Sequence, residues 1–320
     1  MAVTNDELKR LRVAVLCGGA STEREVSLES GANVAKALAD AGCTVRKVVI
    51  DDDSLSALDK VPCDICFNIL HGGWGEDGGI QAALDAKGIP YTGSGSAACC
   101  YAMDKVHTKL MVEGEGVPVP EYISLVSVRK CREMVEDAGM QPPLVVKPVR
   151  QGSSVAVTMV DDWKDLPAAI EAALAVDETA LIEERIIGTE VTVGILGDAT
   201  LPIIQMRMKS DFLDYTAKYT DGLNEAICPA QIPDETARLV SQHALTAFRT
   251  IGGEHLCRAD FMLDKDNNPY LLELNMLPGM TSHSFVPLAA RTIGIQFPDL
   301  CMDILRLGWQ RHLDRRGKKA

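Results

Sequence analysis

Long apolar runs are missing from this 320-residue chain: no stretch approaches the ~20 residues that cross a bilayer. Its first residues, Met-Ala-Val-Thr-Asn-Asp-Glu, lack the charged-then-apolar order of a secretory leader. Both absences predict a soluble, cytoplasmic protein without a membrane partner. Positive charge is also short. The net charge of −13 argues against a nucleic-acid partner. An anionic ligand must then be met by local cations rather than by a global field. No Walker A Gly-Lys-Ser/Thr is present. Val15-Leu-Cys-Gly-Gly-Ala lacks G-x-G-x-x-G spacing, and no acidic residue clearly takes a ribose role, which counts against a nicotinamide-dependent oxidoreductase. Internal repeats and low-complexity segments are absent.

Cysteine, by contrast, is plentiful, at ten residues. Cys63-Asp-Ile-Cys66 has CxxC spacing, but no second pair or nearby His completes a zinc site, and Cys99-Cys100 is a single adjacent pair. These residues read as small, reduced hydrophobes. A hydrophobic share of 47% supplies material for a core, and the length suits two or three domains.

Residues 11–17 form a continuous apolar run, the pattern of a strand buried on both faces. Gly18-Gly19 ends it. A helical pattern over 25–41, a strand at 44–50 and another at 63–70 follow. That order predicts a small parallel sheet with helices on both faces. Ligands of such sheets sit beyond the carboxyl ends of the strands, where the glycine-rich loops 18–24 and 71–79 fall. Residues 104–143 switch to helix, loop and proline-rich connections. Strands at 144–148, 155–160 and 179–184 around a helix at 163–175 predict a second α/β unit. Strands at 191–196, 201–206, 257–263 and 269–275, with helices at 234–251 and 298–313, make up the rest. The basic run Arg311 to Lys319 reads as a solvated helix end.

The segment from Arg258 to Asn275 reads as a hairpin about the turn Asp264-Lys-Asp-Asn-Asn-Pro269. Strand side chains alternate between faces, so Arg258 and Asp260 share one face, as do Glu273 and Asn275. Symmetric pairing about the turn sets Asp260 opposite Glu273 and Arg258 opposite Asn275. Two close carboxylates repel unless a cation lies between them. An all-oxygen set of this kind suits Mg2+, usually held by one or two carboxylates plus substrate phosphates.

Other constellations are weaker alone. Arg150-Gln-Gly152-Ser153-Ser154 offers amides and hydroxyls to a phosphate, although it also reads as an ordinary turn. Lys147, within Leu-Val-Val-Lys-Pro, is costly to bury without an anion. The five-glycine stretch 72–79, flanked by His71 and carrying Glu76, reads either as a surface loop or as a substrate edge. Residues 207–225 are long, polar and aperiodic, the composition of a lid or of an insertion. Pro278-Gly-Met-Thr-Ser-His-Ser284 follows the hairpin directly and should reach the same cleft.

Taken together, these segments resemble the ATP-grasp family, and within it the D-alanine–D-alanine ligases. The matching pieces are Cys17-Gly-Gly-Ala-Ser-Thr-Glu-Arg-Glu-Val-Ser27, His71-Gly-Gly-Trp-Gly-Glu-Asp-Gly78, Tyr91-Thr-Gly-Ser-Gly95, Met103-Asp-Lys105, Val146-Lys-Pro148, Gly152-Ser-Ser154, Ala217-Lys-Tyr219 and Glu273-Leu-Asn-Met-Leu-Pro-Gly-Met-Thr-Ser-His-Ser284. They run in the family's order from residue 17 to 290. The resemblance implies an α/β ATP-grasp fold: an N-terminal Rossmann-like parallel-sheet domain over 1–103 and two α+β subdomains, a central one over 104–184 and a catalytic one over 185–320. It implies that ATP phosphorylates one D-alanine carboxylate, that the amine of a second D-alanine attacks the acylphosphate, and that the dipeptide serves peptidoglycan synthesis.

Roles follow by match. Lys105 and Lys147 correspond to ligands of the ATP phosphates, and Glu183 and Glu190 to adenine and ribose contacts. Asp260, Glu273 and Asn275 correspond to ligands of Mg2+ or Mn2+, with two ions implied. Arg258 and the backbone of Gly279 correspond to oxyanion donors. Glu23 corresponds to the carboxylate that holds the first substrate's ammonium, with His71 beside it. Ser284 and Lys218 correspond to contacts with the second substrate's carboxylate. Glu23, Ser153 and Tyr219 correspond to a trio that fastens a lid and keeps water from the acylphosphate. A homodimer is implied as well. Val149, Gln151 and Ala156 replace the commoner Ser, Glu and Gly of the phosphate loop, so a stiffer loop is expected. Glu184 and Arg185 replace a usual Lys and an apolar residue near the adenine. Ala217-Lys-Tyr219 resembles the dipeptide-forming group, which disfavours a D-alanine–D-lactate or D-serine ligase. The intact polar set disfavours a non-catalytic ATP-binding module.

Overall fold

The computed structural model describes residues 3–208 and 224–317. Helix α1 (Asn5–Lys9) is closed by a Thr4/Glu7 capping box and leads into β1 (Arg12–Gly18), which is buried from Val13 onward. Then come α2 (Arg24–Asp40), β2 (Thr44–Ile50), β3 (Ile65–Asn68) and α3 (Gly79–Lys87). The strands form a parallel sheet in the order β2-β1-β3, so the central, doubly covered strand is the one with the unbroken apolar run. Helices α4 (Ser96–Met103) and α5 (Lys105–Glu113) follow, α5 capped by the Asp104 side chain.

The second sheet holds β4 (Tyr122–Leu125), β5 (Leu144–Pro148), β6 (Thr158–Val160) and β7 (Ala180–Glu184), in the order β4-β7-β5-β6 and antiparallel throughout. Helices α6 (Cys131–Asp137) and α7 (Leu166–Leu174) cover one face. Strands β8 (Thr189–Leu196), β9 (Ala199–Thr200), β10 (Ile204–Met208), β11 (Asn224–Ile227), β12 (Leu256–Leu263) and β13 (Pro269–Asn275) form the third sheet. Helix α8 (Asp234–Thr250) packs on it, joined in one apolar core by Ala102, Val112 and Val117 from the α4–α5 region. Helices α9 (Phe285–Thr292) and α10 (Phe297–Gly317) end the described chain and return to the first sheet's core.

Four expectations need correction. The strand expected over 155–160 is confined to 158–160, because Ser153, Ser154 and Ala156 take φ of 49, 57 and 53° and break the ladder. The strand expected at 201–206 lies at Ile204–Met208. The glycine-rich stretch expected to be wholly loop gives way to α3 at Gly79. The basic end of α10 is not simply solvated. Arg311 donates to the backbone oxygens of Gly93 (2.7 Å) and Tyr91 (2.6 Å), pairs with Glu254 at 2.8 Å and lies 4.5 Å from the Tyr91 ring centre. A guanidinium can bind several carbonyls in a plane at once, so this residue ties α10 to the connection between first sheet and α4. All ten cysteines are unpaired thiols.

Candidate active site

The β12–β13 register pairs Arg258 with Asn275 and Asp260 with Glu273, as symmetry about the turn predicts. Just beyond Asp260 the register slips by one residue, with Phe261 facing Leu271. This bulge leaves Leu272 and Glu273 both lining the cleft, although alternation alone would send them to opposite faces. Arg258 grips Asp260 with two bonds, Nε to Oδ1 at 2.9 Å and Nη2 to Oδ2 at 2.8 Å. The hydroxyl of Thr192, on β8, donates to the same Oδ1 at 2.6 Å. Asn275 Oδ1 accepts from the Leu277 amide at 3.0 Å.

A cavity of about 510 Å3 lies between the second and third sheets. Lys105, Lys147, Glu183, Glu190, Asp260 and Glu273 all line it, so six of the expected site residues come together there. Apolar wall is supplied by Val145, Met159, Met262 and Leu272. Lys105 is buried, donates to the Gln151 carbonyl at 2.7 Å and lies 3.6 Å from Glu273. Its bond to residue 151 uses the backbone, so the unusual Gln side chain there leaves it intact. Burial lowers the Lys105 pKa. Lys147 pairs with Glu183 at 2.7 Å. Burial pushes the Glu183 carboxyl up, but Lys109 and Lys147 outweigh it and bring the group down to about 2. Arg185 reaches Asp161 at 2.9 Å on the rim.

Glu23 precedes α2, at the carboxyl end of β1. Ser153, 130 residues later, donates its hydroxyl to Glu23 Oε1. Gly72 turns with φ of 68°, and a Cβ there would fall 2.8 Å from Glu23 Oε2. Only a bare α-carbon leaves room for the carboxylate. Burial, then Glu76, raises the Glu23 pKa, with Ser153, His71 and Arg258 pulling against them. His71 is buried, with Nδ1 3.4 Å from Glu76. Its Nε2 has no hydrogen-bond partner among the described residues, an orphan that a bound ligand can satisfy. Ser284 immediately precedes α9. Its hydroxyl accepts from the Thr281 amide at 3.0 Å, and a Cβ on Gly279 would lie 2.8 Å from it. The Met280 amide donates to Ser30 on α2 at 3.2 Å, docking this loop on the first sheet's helix. Lys218 and Tyr219 lie outside the described residues, as does most of the aperiodic segment 207–225.

Sequence reasoning missed Thr192 and Lys109. Nothing in the pattern marks Thr192. Lys109 stands four residues after Lys105 on α5, a spacing that sets both on one helix face and could have flagged it. For a divalent cation, the described residues bring together no group of three or more His, Cys, Asp or Glu side chains. Two directly opposed carboxylates plus an amide oxygen nevertheless fit a hard cation that takes its remaining ligands from phosphates. Such an ion would share Asp260 with Arg258 and Thr192.

Comparison with known proteins places the chain beside a single family of enzymes. A family model described as the D-ala D-ala ligase C-terminus matches residues 111–306, and one described as its N-terminus matches 56–94. A D-alanine–D-alanine ligase of Dechloromonas aromatica is 43% identical, over 92% of this chain and 97% of the relative. One from Carboxydothermus hydrogenoformans is 40% identical over 93% and 98%. The solved D-alanine–D-alanine ligase of Bacillus anthracis complexed with ATP superposes with a TM-score of 0.84 at 30% identity, covering 95% of this chain and 99% of the other. The VanG D-Ala:D-Ser ligase of Enterococcus faecalis gives 0.81 at 28%, covering 92% and 98%.

Proposed function

The chain belongs to the D-alanine–D-alanine ligase family, and from that premise we propose that its cleft joins two D-alanine molecules at the expense of ATP, releasing ADP and phosphate. The product feeds peptidoglycan synthesis. Beyond family membership, the observation that supports this reading most is the Ser153–Glu23 hydrogen bond. It draws the phosphate loop of the second sheet onto a carboxylate at the end of the first. The side expected to hold the phosphoryl donor and the side expected to hold the amino acid are thereby brought against one another.

In this reading the adenine lies along the apolar wall, with Glu183 and Glu190 toward base and ribose. Lys105 and Lys147 take the phosphates. Glu23 accepts the first D-alanine's ammonium, beside His71. A carboxylate oxygen of that substrate attacks the γ-phosphorus, forming an O–P bond as the bond to ADP breaks. The second D-alanine, its carboxylate held by Ser284 and Lys218, gives up one ammonium proton to a phosphate oxygen of the acylphosphate. Its nitrogen then attacks the acyl carbon, the C–O bond to phosphate breaks, and the nitrogen's second proton passes to solvent. Arg258 and the Gly279 amide face the oxygen that gathers charge, where preorganised donors stabilise a transition state best. A divalent cation held by Asp260, Glu273 and Asn275 would offset charge on the phosphates. Tyr219, with Ser153 and Glu23, fastens the lid against water. We assign the protein to the cytoplasm and to a homodimer of the 34.5 kDa chain. Among the described residues no helix is long and apolar enough to cross a membrane.

Supplying ATP and Mg2+ with D-alanine, L-alanine, or D-alanine mixed with D-lactate or D-serine, and reading the products by mass, tests the assignment. D-Alanine should trigger phosphate release and yield its dipeptide, even from the mixtures. A mixed product in excess would favour the depsipeptide or D-serine reading, and silence with D-alanine both alone and in every mixture would contradict both.

Glu23 must be ionised to hold an ammonium, and burial raises its pKa above the ordinary 4.5. As pH falls through that raised value, kcat/KM for D-alanine should therefore decline. Glu23→Gln should raise the KM for D-alanine and erase this acid limb. An unchanged limb in the variant would assign it to another group.

A further inference from the structure

We infer that Lys109, behind the cavity wall, is a positioning residue for nucleotide selectivity: it fixes Glu183 so that the carboxylate accepts from a base carrying an exocyclic amino group. The inference rests on the reading that the cavity takes an adenine nucleotide.

Lys109 does not line the cavity, whereas Glu183 does. Lys109 is 1% exposed, with Nζ 2.6 Å from Glu183 Oε1. Lys147, from β5, lies 2.7 Å from the other oxygen, Oε2. A carboxylate tethered at both oxygens by cations from two different elements cannot rotate. With Lys147 alone, it is free to follow that ammonium toward the phosphate end.

The arrangement is expensive. Lys109 and Glu183 form a close ion pair, yet neither Nζ nor Oε1 has a well-aligned hydrogen-bond partner among the described residues. The Tyr122 ring centre, 5.4 Å away, offers partial compensation. Three buried charges of this kind contribute little stability that a hydrophobic trio would not match. What they supply is orientation and charge. Two ammonium groups on one carboxylate leave a net positive centre beside Lys105, in a chain of net charge −13. An anionic ligand needs such a local centre.

The test is calorimetric binding of ADP and of IDP, which carries a carbonyl where ADP has its amino group, with Mg2+ present. Wild type should favour ADP. Lys109→Met should cut the ADP-to-IDP preference by about tenfold, the scale of one charge-assisted hydrogen bond. KM for D-alanine should stay unchanged. Loosened packing alone would weaken both nucleotides equally. Glu183→Gln should lose the preference by itself, and adding Lys109→Met to it should change the preference no further. That double variant, with no buried carboxylate left on a single ammonium, keeps the question open to test even where Lys109→Met does not fold. A wild-type preference in Lys109→Met, or a further shift in the double variant, overturns the inference. Wild type binding neither nucleotide would overturn the nucleotide reading as well.

Discussion

Replacing Glu273 with Gln is expected to lower kcat about a thousandfold while the protein stays folded. Glu273 faces Asp260 across β12–β13 and sits 3.6 Å from the Lys105 ammonium. Gln keeps the shape and the packing of the bulged strand. It removes one of the two negative charges that make the site attractive to a cation, along with the charge opposite Lys105. Phosphoryl transfer depends almost wholly on positioning and charge stabilisation, and losing one preorganised group costs about 10²–10³ in rate. Phosphate release at saturating Mg2+, beside a thermal melt, reads both halves. Activity within tenfold of wild type would remove Glu273 from the cation site. The same substitution at a cavity-lining position with no chemical role would have left the rate unchanged.

Gly188→Ala should instead damage the scaffold. Gly188 lies at the entry to β8, and a Cβ there would fall 1.8 Å from the Leu263 carbonyl oxygen and 2.9 Å from its carbon. That carbonyl is backbone at the end of β12, in register with Thr189, so neither partner can swing aside. The two strand ends must separate. Overpacking against a fixed neighbour costs on the order of 3 kcal/mol, or roughly 4–5 °C in Tm for a chain of this length. Gly188 also lines the cavity close to Glu190, so KM for ATP should rise while KM for D-alanine, bound at the other end, holds. A melting temperature within a degree of wild type would show that the strands yield more easily than this geometry allows.

Particular residues explain how much was legible beforehand. The Asp260–Glu273 pairing could be read because two strands of opposite direction and period two, joined by one obvious turn, leave a single natural register. The bulge at Leu272 could not, since one extra residue leaves no periodic trace. The parallel first sheet was written in β1's unbroken apolar run. The turn after Gly152 could be read, but its length could not: the left-handed residues Ser153, Ser154 and Ala156 are not glycines, so nothing local delays the next strand to Thr158. Arg311 looked like one more cation at a helix end. Its partners are backbone carbonyls more than 200 residues away, which no local pattern encodes. Lys109 was half visible, with its spacing from Lys105 in plain sight and its partner Glu183 on a strand far along the chain.

The most direct measurement of the central claim follows an oxygen atom. D-Alanine labelled with 18O in both carboxylate oxygens would be turned over with unlabelled ATP and Mg2+, and the released phosphate analysed by mass. If the first substrate's carboxylate attacks the γ-phosphorus and the second substrate's amine then expels phosphate from the acyl carbon, each phosphate leaves with one 18O, and the dipeptide keeps the other at its peptide carbonyl. Phosphate without label, formed alongside dipeptide, would contradict an acylphosphate and with it the roles proposed for Lys105, Lys147 and Arg258.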